Sequence, residues 1–167
     1  EGLPALLKKV VQSCNFRATT QIDIALEGAE IVLVAVGTPS NNGAIDLSYI
    51  GEACRSIGNY IKTSDNFLSV IIKSTVVPGT TDTFVRRHLE EASGKTLGKF
   101  GLGMNPEFLR EGNAIKDFRY PDRIVLGHED SVTLDKLEEL YSPWSVDKLS
   151  MSCRSAELVK YANNALL

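Results

Sequence analysis

Four apolar runs rich in β-branched residues alternate along this chain with segments of helical period, and this alternation restricts the fold more than any other feature. The runs are Glu30-Ile-Val-Leu-Val-Ala-Val-Gly37, Phe67-Leu-Ser-Val-Ile-Ile-Lys73, Phe100-Gly-Leu-Gly-Met-Asn105 and Arg123-Ile-Val-Leu-Gly127, each bounded by Gly, Pro or Asn signals. The first two are apolar nearly throughout, as strands of a parallel sheet covered on both faces are. Helical spacing of apolar residues marks residues 22–28, 47–62 (Leu47, Ile50, Cys54, Ile57, Ile61), 80–92, 132–141 and 155–167. A further helix is expected near the start (Leu3, Leu6, Leu7, Val10, Val11) and a weaker strand at residues 146–150. The pattern predicts an α/β fold: a parallel sheet with right-handed crossovers, flanked by helices.

With 167 residues, 43% hydrophobic and 23% charged, the chain is large enough for one buried core. A net charge of −3 and a pI near 5.4 argue against nucleic acid or an acidic membrane surface as partner. Cys14, Cys54 and Cys153 are scattered and odd in number, without CxxC spacing, so neither a disulfide framework nor a zinc site is expected. A reducing, cytoplasmic setting is the expectation. No apolar run approaches the roughly 18 residues of a membrane span, and no signal-peptide pattern is present. Because Glu1 is not a methionine and Leu167 falls inside a helical pattern, both ends read as cut.

In open α/β sheets ligands bind beyond the carboxyl ends of the strands, so the residues after each run are the candidates for chemistry. After the first run, Gly37 allows close backbone approach, Thr38 offers a hydroxyl, and Pro39 begins a turn into Asn41-Asn42-Gly43. After the second, Ser74 and Thr75 pair two hydroxyls ahead of a Pro78-Gly79 turn, with Thr80 as a helix N-cap. After the third, Asn105-Pro-Glu-Phe-Leu-Arg-Glu-Gly112 holds Glu107 and Glu111. On a helix their i, i+4 spacing puts both on one face, either as an acid/base pair or as a solvated, salt-bridged helix start, with Arg110 between them. Near the end, Glu157, Lys160 and Asn164 share one helical face and Leu158, Tyr161 and Ala165 another; the polar face is solvated unless it lines a cleft, where Lys beside Asn stabilises an oxyanion. Cys153, at an expected helix start, is either a nucleophile or, more commonly, a small buried thiol. His88 and His128 lack ligand spacing, so no metal site is expected.

In order, Val34-AVGTPS with Asp46-LSY, Lys73-STVVPGT, Asn105-PEFLREGNAIKDF with Pro121-DRIVLG, and Ala156-ELVKYANNA resemble the UDP-glucose/GDP-mannose dehydrogenase family over nearly the whole chain. The resemblance implies an NAD-dependent enzyme that oxidises the C6 alcohol of a nucleotide sugar twice, through an aldehyde and a cysteine thioester, to a carboxylate. It implies that Val36, Thr38 and Pro39 line the NAD site, and that Ser74 and Thr75 lie near the cofactor and a water that Thr75 positions. By the same resemblance Glu107 is the acid/base residue of thioester hydrolysis, and Glu111 lies between nicotinamide and sugar. Phe108, Leu109 and Arg110 would help hold the substrate, and Lys160 and Asn164 would stabilise the oxyanion and contact the sugar. UDP-glucose is the leading substrate on Pro121-Asp-Arg-Ile-Val125, ahead of UDP-N-acetyl sugars and GDP-mannose, and the full-length enzyme is expected to be a homo-oligomer.

The chain departs from the family in lacking both a G-x-G-x-x-G turn and a Gly-Gly-x-Cys nucleophile motif. Residues 1–151 are therefore expected to form a Rossmann-like NAD domain without its first βαβ unit, and residues 152–167 to open the long central helix. Alone, such a fragment is expected not to turn over. The rival expectation is a non-catalytic module that self-associates or binds a partner through exposed apolar surface. A different dehydrogenase family with a similar sheet would not reproduce the Asn105–Glu111 segment.

Overall fold

The computed structural model describes residues 2–41 and 43–166. Its strands are β1 (Ile31–Val34), β2 (Ser40–Asn41), β3 (Ala44–Ile45), β4 (Ser69–Ile72), β5 (Gly101–Met104), β6 (Ile124–His128) and β7 (Lys148–Met151). Five form one sheet in the order β1-β4-β5-β6-β7, and β2 pairs with β3 in a short ribbon. The helices are α1 (Leu3–Gln12), α2 (Ile22–Leu26), α3 (Ser48–Thr63), α4 (Arg86–Ser93), α5 (Ala114–Arg119), α6 (Ser131–Leu140) and α7 (Cys153–Leu166). Asn42, expected in the turn after Pro39, and Glu1 and Leu167, expected as the chain's cut ends, lie outside the described residues.

The central runs become strands because both their faces are covered: every residue of β4 and β5 is buried, whereas β1, expected to be covered on both faces, stands at the sheet edge with Leu33 exposed. On one face Ile50, Ile57 and Ile61 of α3 and Leu89 of α4 pack with Val70, Ile72, Leu102 and Met104. On the other, Leu137 of α6 and Tyr141 pack with Ile71 and Leu126. Glycines let these layers close. A Cβ on Gly103 would meet Ile71 Cδ1 at 2.7 Å and the Gly127 carbonyl at 2.9 Å, and one on Gly127 would meet Ala156 Cβ of α7 at 2.8 Å.

One pairing differs from the expected all-parallel sheet. β1, β4 and β5 are mutually parallel, but β5 pairs with β6 antiparallel, and β7 runs parallel to β6. The sheet is therefore mixed within the Rossmann-like α/β class. Period-2 and apolar-run patterns identify strands but carry no direction, and strand direction here depends on how residues 105–123 travel between β5 and β6. Short α5, in that connection, has no counterpart among the expected helices.

The helix expected over residues 80–92 begins as a π-helical stretch, Thr80–Val85, before α4. Thr80 does not cap it: its hydroxyl donates to the Val77 carbonyl (2.6 Å). Gly79 occupies the cap position with φ 93°, a left-handed conformation that glycine adopts without a Cβ penalty. The acceptor comes from α7, where the Glu157 carboxylate accepts from Gly79 N (2.5 Å) and Thr81 N (2.7 Å). Glu157 is fully buried and Lys160 nearly so, whereas Leu158 is 57% exposed. On the polar face of α7, expected in solvent unless it lined a cleft, Glu157 and Lys160 thus turn inward, while Asn164 one turn further on is exposed.

Candidate active site

The carboxyl ends of β1, β4 and β5 share one edge of the sheet, and the amino ends of the antiparallel β6 and β7 come to the same edge. Because β7 runs away from that edge, α7 returns toward it, carrying Lys160, Asn163 and Asn164 to the strand ends. There these residues, Lys73, the Asn105–Arg110 segment, Arg123, Tyr141 and Trp144 enclose a cavity of about 770 Å³.

At its centre Lys160 Nζ donates to Glu107 Oε1 at 2.9 Å and to the Glu107 carbonyl at 2.5 Å. Burial alone would raise the Glu107 carboxyl. The Leu109 N–H (2.5 Å from Oε2), Lys160 and the charge of Lys73 outweigh burial, so the group is held below the ordinary carboxylate value and is ionised at neutral pH. Phe108 forms a wall under two cations: Arg123 Cζ is 5.1 Å and Lys160 Nζ 5.5 Å from its ring centroid. Arg123 Nη2 also donates to Asn163 Oδ1 at 2.6 Å, joining the amino end of β6 to α7.

Glu107 and Glu111 do not share a helix face. Residues 105–110 are irregular, a turn follows, and α5 begins only at Ala114. Pro106 and the fork between Arg110 and Asp117 hold the segment in this form: Arg110 Nη2 lies 2.6 Å from Asp117 Oδ1 and Nε 3.1 Å from Oδ2. Hydrogen bonds from Arg110 hold the Asp117 carboxyl far below its usual range. Arg110 still lines the cavity with Leu109, but its guanidinium is engaged; Glu111 is exposed and does not line it.

On the other side of the strand ends, Val36, Gly37 and the α3 residues Tyr49, Glu52, Ala53 and Ser56 border an open cavity of about 490 Å³. No atom lies within 4 Å of where a Cβ on Gly37 would stand, so the backbone there is accessible. Ser74 and Thr38 stitch β1 to β4: Ser74 Oγ donates to the Val36 carbonyl (2.6 Å) and Thr38 Oγ1 to the Thr75 carbonyl (3.0 Å). Pro39 is exposed beside them. Among the described residues the Thr75 hydroxyl has no hydrogen-bond partner and is free for a ligand or water. An open glycine-bordered ledge with a free hydroxyl beside it fits one end of a dinucleotide.

Cys153 is not available as a nucleophile. It is completely buried, and burial first, then the nearby Glu129, raises its thiol far above the ordinary value. His88 Nδ1 is engaged with the Phe84 carbonyl (2.8 Å) and His128 Nε2 with Ser150 Oγ (3.0 Å). No group of three or more His, Cys, Asp or Glu able to hold a metal ion occurs among the described residues. No helix among them is long and apolar enough to cross a membrane.

The strand-end motifs led to Glu107 and the helix-face motif to Lys160 and Asn164, but neither led to Tyr141, Trp144 or Asn163. Lys73 and Arg123 stood inside motifs already singled out, as a closing residue and a strand start. The signal that could have marked them is a lysine ending an otherwise apolar buried run.

Comparison with known proteins identifies the family. The model of the UDP-glucose/GDP-mannose dehydrogenase family, NAD binding domain, matches residues 1–145. The GDP-mannose 6-dehydrogenase of Pseudomonas aeruginosa is 41% identical over 165 residues, 98% of this chain and 38% of that protein. A UDP-glucose 6-dehydrogenase of Haloferax volcanii is 40% identical over 175 residues, 99% of this chain and 40% of that protein. The crystal structure of a UDP-glucose dehydrogenase from Pyrobaculum islandicum superposes with a TM-score of 0.93 at 39% identity, covering 99% of this chain and 38% of that one. The chain thus spans about two fifths of the length of the relatives it matches. It belongs to the UDP-glucose/GDP-mannose dehydrogenase family.

Proposed function

We propose that this chain supplies the nicotinamide-side strand ends and part of the sugar-binding wall of an NAD-dependent nucleotide-sugar 6-dehydrogenase. The observation that carries this reading is the pair of buried Lys160 and half-buried Glu107 inside a cavity walled in part by Lys73, the residue just before Ser74 and Thr75. NAD, when bound, supplies a hydride acceptor for the sugar C6 carbon, with Val36, Thr38, Pro39, Ser74 and Thr75 as the residues that would hold its near end.

The chain's own residues account for the remaining requirements. Lys160, with Asn164 at the rim, places positive charge and N–H donors where an oxyanion would develop. Glu107, ionised and anchored by Lys160, can take a proton from a water attacking a thioester; Thr75 holds that water by its free hydroxyl. Phe108, Leu109 and Arg110 form the wall against the sugar; the resemblance would put Glu111 between nicotinamide and sugar, but here it stands exposed outside the cavity. Residues 1–151 are assigned to the NAD domain and residues 152–167 to the start of the linking helix. The sequence contains neither the G-x-G-x-x-G turn nor the Gly-Gly-x-Cys motif, so the 167-residue chain taken alone is read as not turning over.

The substrate is read as UDP-glucose on the Pro121–Val125 segment, followed by GDP-mannose and UDP-N-acetyl-hexosamines; the named relatives, at 41% and 40% identity, do not separate the first two. In the full-length protein, assays with each nucleotide sugar should show NADH production, and Lys160→Met should lower kcat on the order of a hundredfold or more. Lys160→Met with undiminished kcat on every active substrate would contradict the reading.

Self-association is a second reading, favoured by the exposed stripe Leu3, Leu6, Leu7 and Val11 on α1 and by Leu33 on edge strand β1. Sedimentation velocity over a concentration series tests it: a rising coefficient supports association, a constant monomer value removes it.

A further inference from the structure

Lys73 ends β4 in the wall of the larger cavity, and the functional reading above gives it no role. Its Nζ donates to the Asn105 carbonyl (3.1 Å) and to Asn105 Oδ1 (2.8 Å). Asn105 Oδ1 also accepts from the Tyr141 hydroxyl (2.5 Å), and Nδ2 donates to the Val125 carbonyl (2.8 Å). Thus β4, the end of α6 and β6 meet at one buried amide, two residues before Glu107. Pro106 separates them, and its fixed φ passes the orientation of Asn105 to Glu107 with little slack.

We propose that Lys73 is a positioning residue for Glu107: through Asn105 it fixes the turn that carries Glu107, and its positive charge acts with Lys160 to keep that carboxylate ionised. This rests on the dehydrogenase reading above.

The charge exceeds what the hydrogen bonds require. A neutral donor could pin Asn105, and even a half-buried ammonium is costly without a contacting counter-ion; among the described residues no carboxylate forms an ion pair with Lys73. The burial penalty brings its ammonium down to about 8, with Glu107 pulling upward and Lys160 pushing down. The charged groups facing Lys73 are therefore Glu107, from the segment after β5, and Lys160, from α7. Tyr141 reaches it through Asn105, and Arg123 and Asp122, ahead of β6, line the same cavity. Of these, Glu107 is the group whose charge Lys73 stabilises.

Lys73→Met and Lys73→Arg in the full-length protein test this with two readouts. A carboxyl-carbon NMR titration of Glu107 should move to higher pH in Lys73→Met and return toward wild type in Lys73→Arg. The acid limb of the kcat profile should move in the same direction, with kcat reduced by about tenfold or more from misplacement of the turn. An unmoved Glu107 titration in Lys73→Met, whatever the loss of rate, would reduce Lys73 to a structural lysine and overturn the proposal. Should Lys73→Met not fold, Lys73→Gln, which keeps amide donors without charge, is judged by the same criterion. A wild-type protein that oxidises no nucleotide sugar would sink the dehydrogenase reading, while the Glu107 titration would still decide the role of Lys73.

Discussion

At the scale of single residues, two charges on α7 show what a helical wheel leaves out. Glu157 and Lys160 have the spacing of a solvated face, yet both are buried, because each meets a specific partner: two backbone N–H groups for Glu157 and the Glu107 carboxylate for Lys160. Burial of a charge is decided by the partner, and the partners lie 76 to 78 and 53 residues away in sequence. The Glu107 carboxyl is lowered in the folded state, so its ionisation favours folding above the ordinary carboxylate pKa, and this contribution is lost as pH falls through the lowered value. Glu107→Gln should therefore flatten the acid side of the stability-versus-pH curve below about pH 5. An unchanged curve in denaturant titrations would contradict the assignment. The cysteines differ as well: Cys14 is exposed, while Cys54, pushed up to about 12, and Cys153 are buried. A thiol reagent should modify Cys14 rapidly in the native chain and reach the other two only on unfolding; rapid native labelling of Cys153 would contradict its burial.

Secondary-structure elements were legible where their pattern is long. β1, β4 and β5 fall within the apolar runs, and β6, α3, α6 and α7 match their segments to within two residues at one end. The direction of β6 and the existence of α5 were not legible, because a run of Ile, Val and Leu looks the same in either direction and α5 has only six residues. The same limit applies to the capping of the π-helical stretch after Gly79. A threonine after Pro-Gly is a good local capping candidate, but the cap is the carboxylate of Glu157 on α7. Glu157→Ala should leave the Gly79 and Thr81 N–H groups unpaired and destabilise the fold by about 1–3 kcal/mol for each that water cannot reach. Wild-type stability in Glu157→Ala would show that the contact contributes nothing. Gly103→Ala tests the closeness of the sheet layers. The added methyl overlaps Ile71 and the Gly127 carbonyl, and a loss of about 1–3 kcal/mol in denaturant unfolding is expected; a neutral result would mean that β5 and β6 shift apart at little cost.

For the molecule as a whole, the proposed site depends on the sheet being mixed. Were β6 and β7 parallel to β5, α7 would start at the site edge and run away from it, and Lys160 could not reach Glu107. The reversal at residues 105–123 therefore both forms the cavity wall and aims α7 back at the strand ends, bringing the cofactor-side hydroxyls and the sugar-side charges to one edge. The strand-end motifs placed Ser74, Thr75 and Glu107 at that edge and the helix-face motif singled out Lys160 and Asn164; the topology explains how residues more than fifty positions apart meet there. The most direct test of this account is the end-point count of NADH formed per limiting nucleotide sugar, measured on the full-length protein with UDP-glucose, GDP-mannose and a UDP-N-acetyl-hexosamine. The account predicts two NADH per sugar for at least one of them, from two successive oxidations at C6. Formation of no NADH with any of the three would contradict it.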